Sequence, residues 1–332
     1  MRILFVDPTT PHPYDSNTLL TTPMGGTEAT VIRIAEGLAA LGNVVRVTQH
    51  NRVVNTTGRV EYTSFGSNAD FNPTHVVVLR APLVLLTAKK QYPAAKLHLW
   101  CHDLFGTQGW SDGFKAIVET NAIPVLVSNW HKSQMYDLAR SLKFEGTLAA
   151  RVVFNPVSED LMPDATPVDM DKIVFFSGPH KGLDRTLDVF KQFGNFKELE
   201  NVKLYIANPG YFESKDTSGI SNVVNLGAVT HSTILGHVRG SLCVFHLNAV
   251  YPETFGLVYA ESNAVGTPFL TARVGAVEEI ADHPAEFVDV GDNKAVIDRI
   301  IEWRTVDRPR VRVNPAFRLS RVLRSWYEVF KA

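Results

Sequence analysis

Short apolar runs alternate with amphipathic stretches along this chain. RILFVD at 2–7 is a continuous apolar run of the buried, parallel-strand type. A polar, proline-rich loop runs to Met24, and Gly25-Gly26-Thr27-Glu28 then opens an amphipathic helix through Leu41, with Gly42 at its stop. VVRVTQ at 44–49 completes a strand–helix–strand unit with an unusually long first loop. In open α/β sheets, such loops at strand C-termini are where ligands bind. More strands are expected near 59–65, at 74–80, within 97–106 and at 123–128, and a helix from Ser128 or Asn129 precedes a strand in RVVFNPV at 151–157. An acidic, proline-containing stretch at 158–170 has little periodicity and reads as a linker. The alternation then resumes. KIVFFSG at 172–178 is a strand, Lys181-Gly182 turns into a helix, and strands are expected at 202–210, 223–229, 242–250 and 269–272. A helix at 230–241, another from about Lys294 and a final one ending near Phe330 complete the pattern. That last helix sets Leu319, Val322, Leu323 and Trp326 at helical spacing.

The stretch Tyr251–Pro268, YPETFGLVYAESNAVGTP, reads as a short helix with Thr254 as N-cap and Gly266 and Pro268 as its stop. Glu253 precedes the first turn and Glu261 lies inside the helix, with seven residues between them. A helix N-terminus offers unpaired N–H groups and the positive end of the dipole, a seat for phosphate. Gly256 lets a ligand approach the backbone there. Eight residues of helix rise about 12 Å, and side chains lean toward the N-terminus. A sugar–diphosphate–nucleoside of that length could meet one carboxylate at each end. Spacing alone also fits a capped, half-buried helix with two solvated acids.

Composition narrows the class. A length of 332 residues suggests about two domains, and 45% apolar with 20% charged residues is ordinary for a globular protein. The net charge of −1 gives no global field toward nucleic acid or membrane. Cys101 and Cys243 make no disulfide framework and fit a reducing, cytoplasmic setting. No signal peptide precedes the first strand, and the longest apolar stretch, Val76–Ala88, is too short to span a bilayer.

Other chemistry-bearing positions keep two readings each. Gly25-Gly26 is a second phosphate seat or a flexible loop end. Arg80, after an apolar strand, contacts a ligand or makes a surface ion pair. His102-Asp103 is an acid/base pair, a structural pair or a substrate contact. Lys181 near a helix start pairs with phosphate or is a surface lysine. Asp169 and Asp171 have a metal-type spacing, but in a linker they read as solvated. From Arg304 to Arg324 seven arginines face one acid, a basic patch for an anionic acceptor or peripheral membrane contact, or a solvated helix face.

The run ETFGLVYAESNAVGTPFLTARVGAVEEI at 253–280 resembles the donor-site signature of glycosyltransferase family 4. The resemblance extends from GGTE to the last helix and is strongest at 251–280. It implies the α/β GT-B fold: two Rossmann-like, doubly wound domains facing a cleft, with a C-terminal helix crossing back to the first domain. The expected boundaries are an acceptor-side domain at 1–160, a nucleotide-sugar domain at 161–315 and the returning helix at 316–332. It also implies transfer of a sugar from a UDP- or GDP-sugar to a hydroxyl of a glycan, lipid or small molecule, with retention and with no metal or other cofactor.

The same resemblance implies the residue roles. Glu253 would lie by the donor sugar and Glu261 would hold the ribose hydroxyls. Gly25, Gly26 and Thr27 would face the phosphates, as would the backbone at Thr254, Phe255, Gly256 and Leu257. Lys181 would meet the diphosphate and His102 the sugar or phosphate, and the base would lie on the Leu226–Val229 loop. Glu253, Lys181 and His102 are thus the catalytic candidates. The family's arginine early in the 177–182 turn is missing, so Ser177, His180 or another basic side chain would stand in for it. Pro156 likewise stands where the family has glycine. An epimerase or phosphorylase on the same fold and a non-catalytic sugar-binding protein are the alternatives.

Overall fold

The computed structural model describes residues 1–68, 70–210 and 213–332. The chain forms two compact units. The first comprises Met1–Asn17, Thr27–Pro156 and Arg318–Ala332, and the second comprises Thr18–Gly26 and Val157–Phe317. The segment 18–26, which the sequence places with the first domain, therefore clusters with the second unit.

In the first unit the strands β1 (Arg2–Asp7), β2 (Val44–Gln49), β3 (Val60–Ser64), β4 (His75–Leu79), β5 (Lys96–Trp100), β6 (Ile123–Leu126) and β7 (Arg151–Val152) form one parallel sheet. Their order is β3-β2-β1-β4-β5-β6-β7. Every residue of β4 is buried, as expected of a central parallel strand covered on both faces. The helices here are α1 (Ser16–Thr21), α2 (Gly26–Ala40), α3 (Val84–Gln91), α4 (Trp110–Thr120) and α5 (Asn129–Ser141), with α1 and α2 running across the boundaries of segment 18–26. The periodicity did not separate α3 or α4. α3 is eight residues long and continues the apolar run of β4 with only Arg80-Ala81-Pro82 as punctuation.

The second unit carries the parallel sheet β10-β9-β8-β11-β12, built from β8 (Asp169–Phe176), β9 (Lys203–Asn208), β10 (Val223–Ala228), β11 (Ser241–Phe245) and β12 (Phe269–Leu270). Its helices are α6 (Leu183–Phe190), α7 (His231–Arg239), α8 (Leu257–Ala264) and α9 (Asn293–Thr305). The strand order reverses at β8, between β9 and β11. Ligands bind at such reversals, beyond the carboxyl ends of the strands.

The final helix, α10 (Leu319–Lys331), belongs to the first unit. Val322, Leu323, Trp326, Val329 and Phe330 are its buried face, while Leu319 is only half-buried. Trp326 packs edge-on against Trp100, with ring centres 4.8 Å apart. His75 Nε2 and the Lys96 ammonium both meet the carbonyl of Phe330, which fastens the end of α10 under β4 and β5.

Candidate functional site

Glu253 and Glu261 both flank the start of α8, but the cap is not the one expected. Gly256, not Thr254, is the N-cap, in a left-handed conformation at φ 101°. Only glycine adopts that conformation without strain, and a Cβ there would come within 2.8 Å of the Tyr259 ring. The helix therefore starts at Leu257; the Tyr259 and Ala260 amides donate to Gly256 O, while those of Leu257 and Val258 have no carbonyl of the helix within reach. Phe255 is buried with its ring edge-on to Phe317, so only its backbone can serve a ligand. Gly26 lies beside Leu257 in the same unit, where a Cβ would sit 3.1 Å from Leu257 Cδ1. Gly25 is buried, and Thr27 belongs to the first unit.

Glu253 is clamped through its backbone. It forms a parallel bridge with Gly275, and its carbonyl accepts from Ala276 N at 2.8 Å. Gly275 has φ 69°, and a Cβ there would lie 2.5 Å from Glu253 N. The 274–276 loop is thus the seat of Glu253. Local sequence pattern does not reveal such a bridge across 22 positions.

The carboxylate of Glu253 is almost fully buried and accepts from Lys181 Nζ at 2.9 Å. Lys181 also lies over the Tyr251 ring, 5.3 Å from its centre. The turn bearing Lys181 is tightly held. Its amide donates to Gly178 O at 2.9 Å, just after buried Ser177. Gly182 has φ 94° and faces the backbone of the next strand's exit, so a Cβ would lie 2.7 Å from Leu247 O. His246 Nε2 donates to Lys181 O at 2.6 Å. Burial lowers the His246 imidazole to about 3, so it stays neutral, and its ring stacks on Tyr259. His180 packs edge-on to Tyr251 and is lowered by burial, then by Lys181.

Glu261 is buried in α8 and its Oε1 lies 2.8 Å from His231 Nε2. An ionised carboxylate only accepts, so Nε2 carries the hydrogen. His231 is the first residue of α7, whose N-cap Thr230 accepts from Thr233 N. Sequence reasoning missed His231: a histidine thirty residues from its partner leaves no mark in periodicity.

In the first unit, Arg80 follows β4 with φ 63°, an unusual value for a side-chain-bearing residue. Its guanidinium lies 3.8 Å from Glu28 and 3.3 Å from Asp103. Burial raises Glu28 above the usual carboxylate range, against the opposing pull of Arg80. His102 is buried with its ring 4.6 Å from that of Trp100. Burial first, then Arg80 and His131, hold it far below the usual imidazole range. It is therefore neutral at physiological pH and suited to hydrogen bonding rather than to acting as a cationic acid.

The remaining candidates disperse. Asp171 lies in β8 and accepts two bonds from Arg304, at 2.8 and 2.6 Å. No group of three or more His, Cys, Asp or Glu able to hold a metal occurs among the described residues. Arg308 is spent on the carbonyls of Ser241 and Leu242. Arg310 and Arg312 are exposed in the second unit, whereas Arg321 and Arg324 are exposed on α10. The arginine-rich tail is thus divided between two units. No helix among the described residues is long and apolar enough to cross a membrane.

Residues 158–316 match the family model described as glycosyl transferases group 1. Over 157 residues the chain is 25% identical to an uncharacterized glycosyltransferase of Methanocaldococcus jannaschii, covering 47% of this chain and 41% of that protein. The chain thus spans less than half the length of this curated relative. A sucrose-phosphate synthase from Thermosynechococcus elongatus has a similar structure, with a TM-score of 0.67 at 14% identity over 99% of this chain and 94% of that one. An alpha-glucosyltransferase solved with UDP and a 13-mer DNA gives a TM-score of 0.63 at 10% identity, with 100% of both chains covered. The fold, two parallel-sheet Rossmann-like units, is that of the GT-B glycosyltransferases.

Proposed function

We propose that this chain, whose residues 158–316 match the group 1 glycosyl transferases, is a retaining glycosyltransferase of the family 4 type. It would move a hexose from a UDP- or GDP-sugar to an acceptor hydroxyl without a metal. The observation that carries the reading is the 2.9 Å Lys181–Glu253 pair beside the N-terminus of α8, with Glu261 inside the same helix.

The chemistry follows from charge. As the C1–O bond to the diphosphate breaks, its electron pair leaves with the diphosphate, and that developing charge must be stabilised in the transition state. The first-turn amides of α8 and the Lys181 ammonium supply positive potential. An ammonium has three donors, so a bond to Glu253 and one to a phosphate oxygen are compatible. Gly25, Gly26 and Thr27 are assigned to the phosphates, together with the backbone from Thr254 to Leu257 and Ser177. Glu253, next to the reacting sugar, orients its hydroxyls and stabilises positive charge at the anomeric carbon. The acceptor oxygen attacks on the face the diphosphate leaves, and its proton passes to the departing phosphate oxygen. His102 is assigned a neutral hydrogen bond to sugar or phosphate. Glu261 accepts from the ribose.

Thermal-shift screening against UDP- and GDP-sugars tests this reading, because a ligand of the native state alone raises the melting temperature. A rise with one nucleotide series is expected. A flat response across both series would overturn the proposal.

A further inference from the structure

We infer that His231 is a positioning residue for the nucleotide, acting through Glu261; this rests on the donor-site reading above. The Glu261 side chain is 6% exposed and that of His231 is 34% exposed. A carboxylate taken that far out of water is stable only when its oxygens are hydrogen-bonded. The 2.8 Å bond from His231 Nε2 to Oε1 supplies one such donor.

That bond also fixes geometry. Glu261 is anchored in α8, and His231 is anchored in the first turn of α7, which is closed by the Thr230 cap. The two helices pack against each other, so the carboxylate is held between two rigid elements. Each carboxylate oxygen has two lone pairs, so Oε1 can keep its imidazole bond and still accept a hydroxyl. A vicinal diol, with two O–H donors on adjacent carbons, matches such a fixed pair of oxygens. The ribose of a nucleoside diphosphate carries this diol, and a 2′,3′-dideoxyribose does not. His231 therefore sets how strongly the site prefers a ribonucleotide, while making no demand on the base or the diphosphate.

Isothermal titration calorimetry of UDP, GDP and their 2′,3′-dideoxy counterparts tests this on the whole chain. The wild-type protein should bind one ribonucleotide more tightly than its dideoxy form. His231→Ala should narrow that ratio by about tenfold, the size of one hydrogen bond to a charged group, with the dideoxy affinity unchanged. His231→Gln, which places an N–H donor at a similar reach, should restore part of the ratio. A merely structural histidine would weaken both ligands alike, and that result would overturn the inference. So would full ribose preference in His231→Ala. Wild-type protein that binds neither UDP nor GDP would instead overturn the glycosyltransferase reading itself.

Discussion

Lys181 Nζ lies 2.9 Å from Glu253 Oε2, across 72 positions of sequence. The pair joins the turn before α6 to the loop before α8, and each partner is fixed by its own backbone, Lys181 through His246 and Glu253 through Gly275. If both act on the same transition state, they should not act independently. Glu253→Ala and Lys181→Ala should each raise the barrier to transfer by about 2–4 kcal/mol, the range for a lost charge-stabilising group. The double variant should lose less than the sum, because neighbours sharing an interaction are not additive. Initial rates of the four proteins check this, and additive losses would argue against a joint role.

Gly275 offers a separate test of how Glu253 is held. Gly275→Ala forces a left-handed side-chain-bearing residue and a 2.5 Å clash with Glu253 N. Strain of this kind costs about 1–3 kcal/mol, and displacement of Glu253 should lower transfer beyond the loss of stability. Urea unfolding alongside initial rates separates the two effects.

Acid should unfold the protein early. Burial holds His98 and His246 at about 3 and His131 at about 4, against about 6.5 for a histidine in an unfolded chain. The unfolded state binds these protons first, so stability is highest above pH about 6.5 and falls as the pH drops from there toward about 3. Glu286 acts in the opposite sense: burial raises it to about 7, so its contribution is lost as pH rises through that value. These three histidines, with His102 and His180, which burial also lowers, outnumber the raised carboxylates Glu286 and Glu28, which predicts a net loss of stability by pH 5. Melting temperatures from pH 8 to pH 4 measure it, and a curve flat across that range would contradict it.

Trp326 should be the anchor of α10. It is fully buried against Trp100 and Phe5. Trp326→Ala should destabilise the first unit by about 3–5 kcal/mol, as large core truncations do. Hydrogen exchange should show faster opening of β4 and β5 in the variant, with the second sheet unchanged.

Much of the fold was legible because its signals are local. The apolar runs of β1 and β11, the glycines before α2 and α6, and the Glu253–Glu261 spacing each lie within one stretch of chain. What escaped was mostly long-range. Neither His231 beside Glu261 nor Gly275 beneath Glu253 has a neighbour in sequence that announces it. The cap of α8 was misplaced for a different reason. Thr254 has the better capping side chain, but Gly256 alone tolerates the left-handed backbone that the helix start requires. The arginines from Arg304 onward kept two readings, a basic patch or a solvated face, because sequence counts charges without showing that Arg304 and Arg308 are already bound.

The account turns on a diphosphate held at the first turn of α8. A crystal structure with a bound UDP- or GDP-sugar tests it most directly. It should place phosphate oxygens within hydrogen-bond distance of Lys181 Nζ and the first-turn amides of α8, with the ribose hydroxyls on Glu261. Electron density for the nucleotide elsewhere, with the α8 N-terminus left in water, would contradict the account.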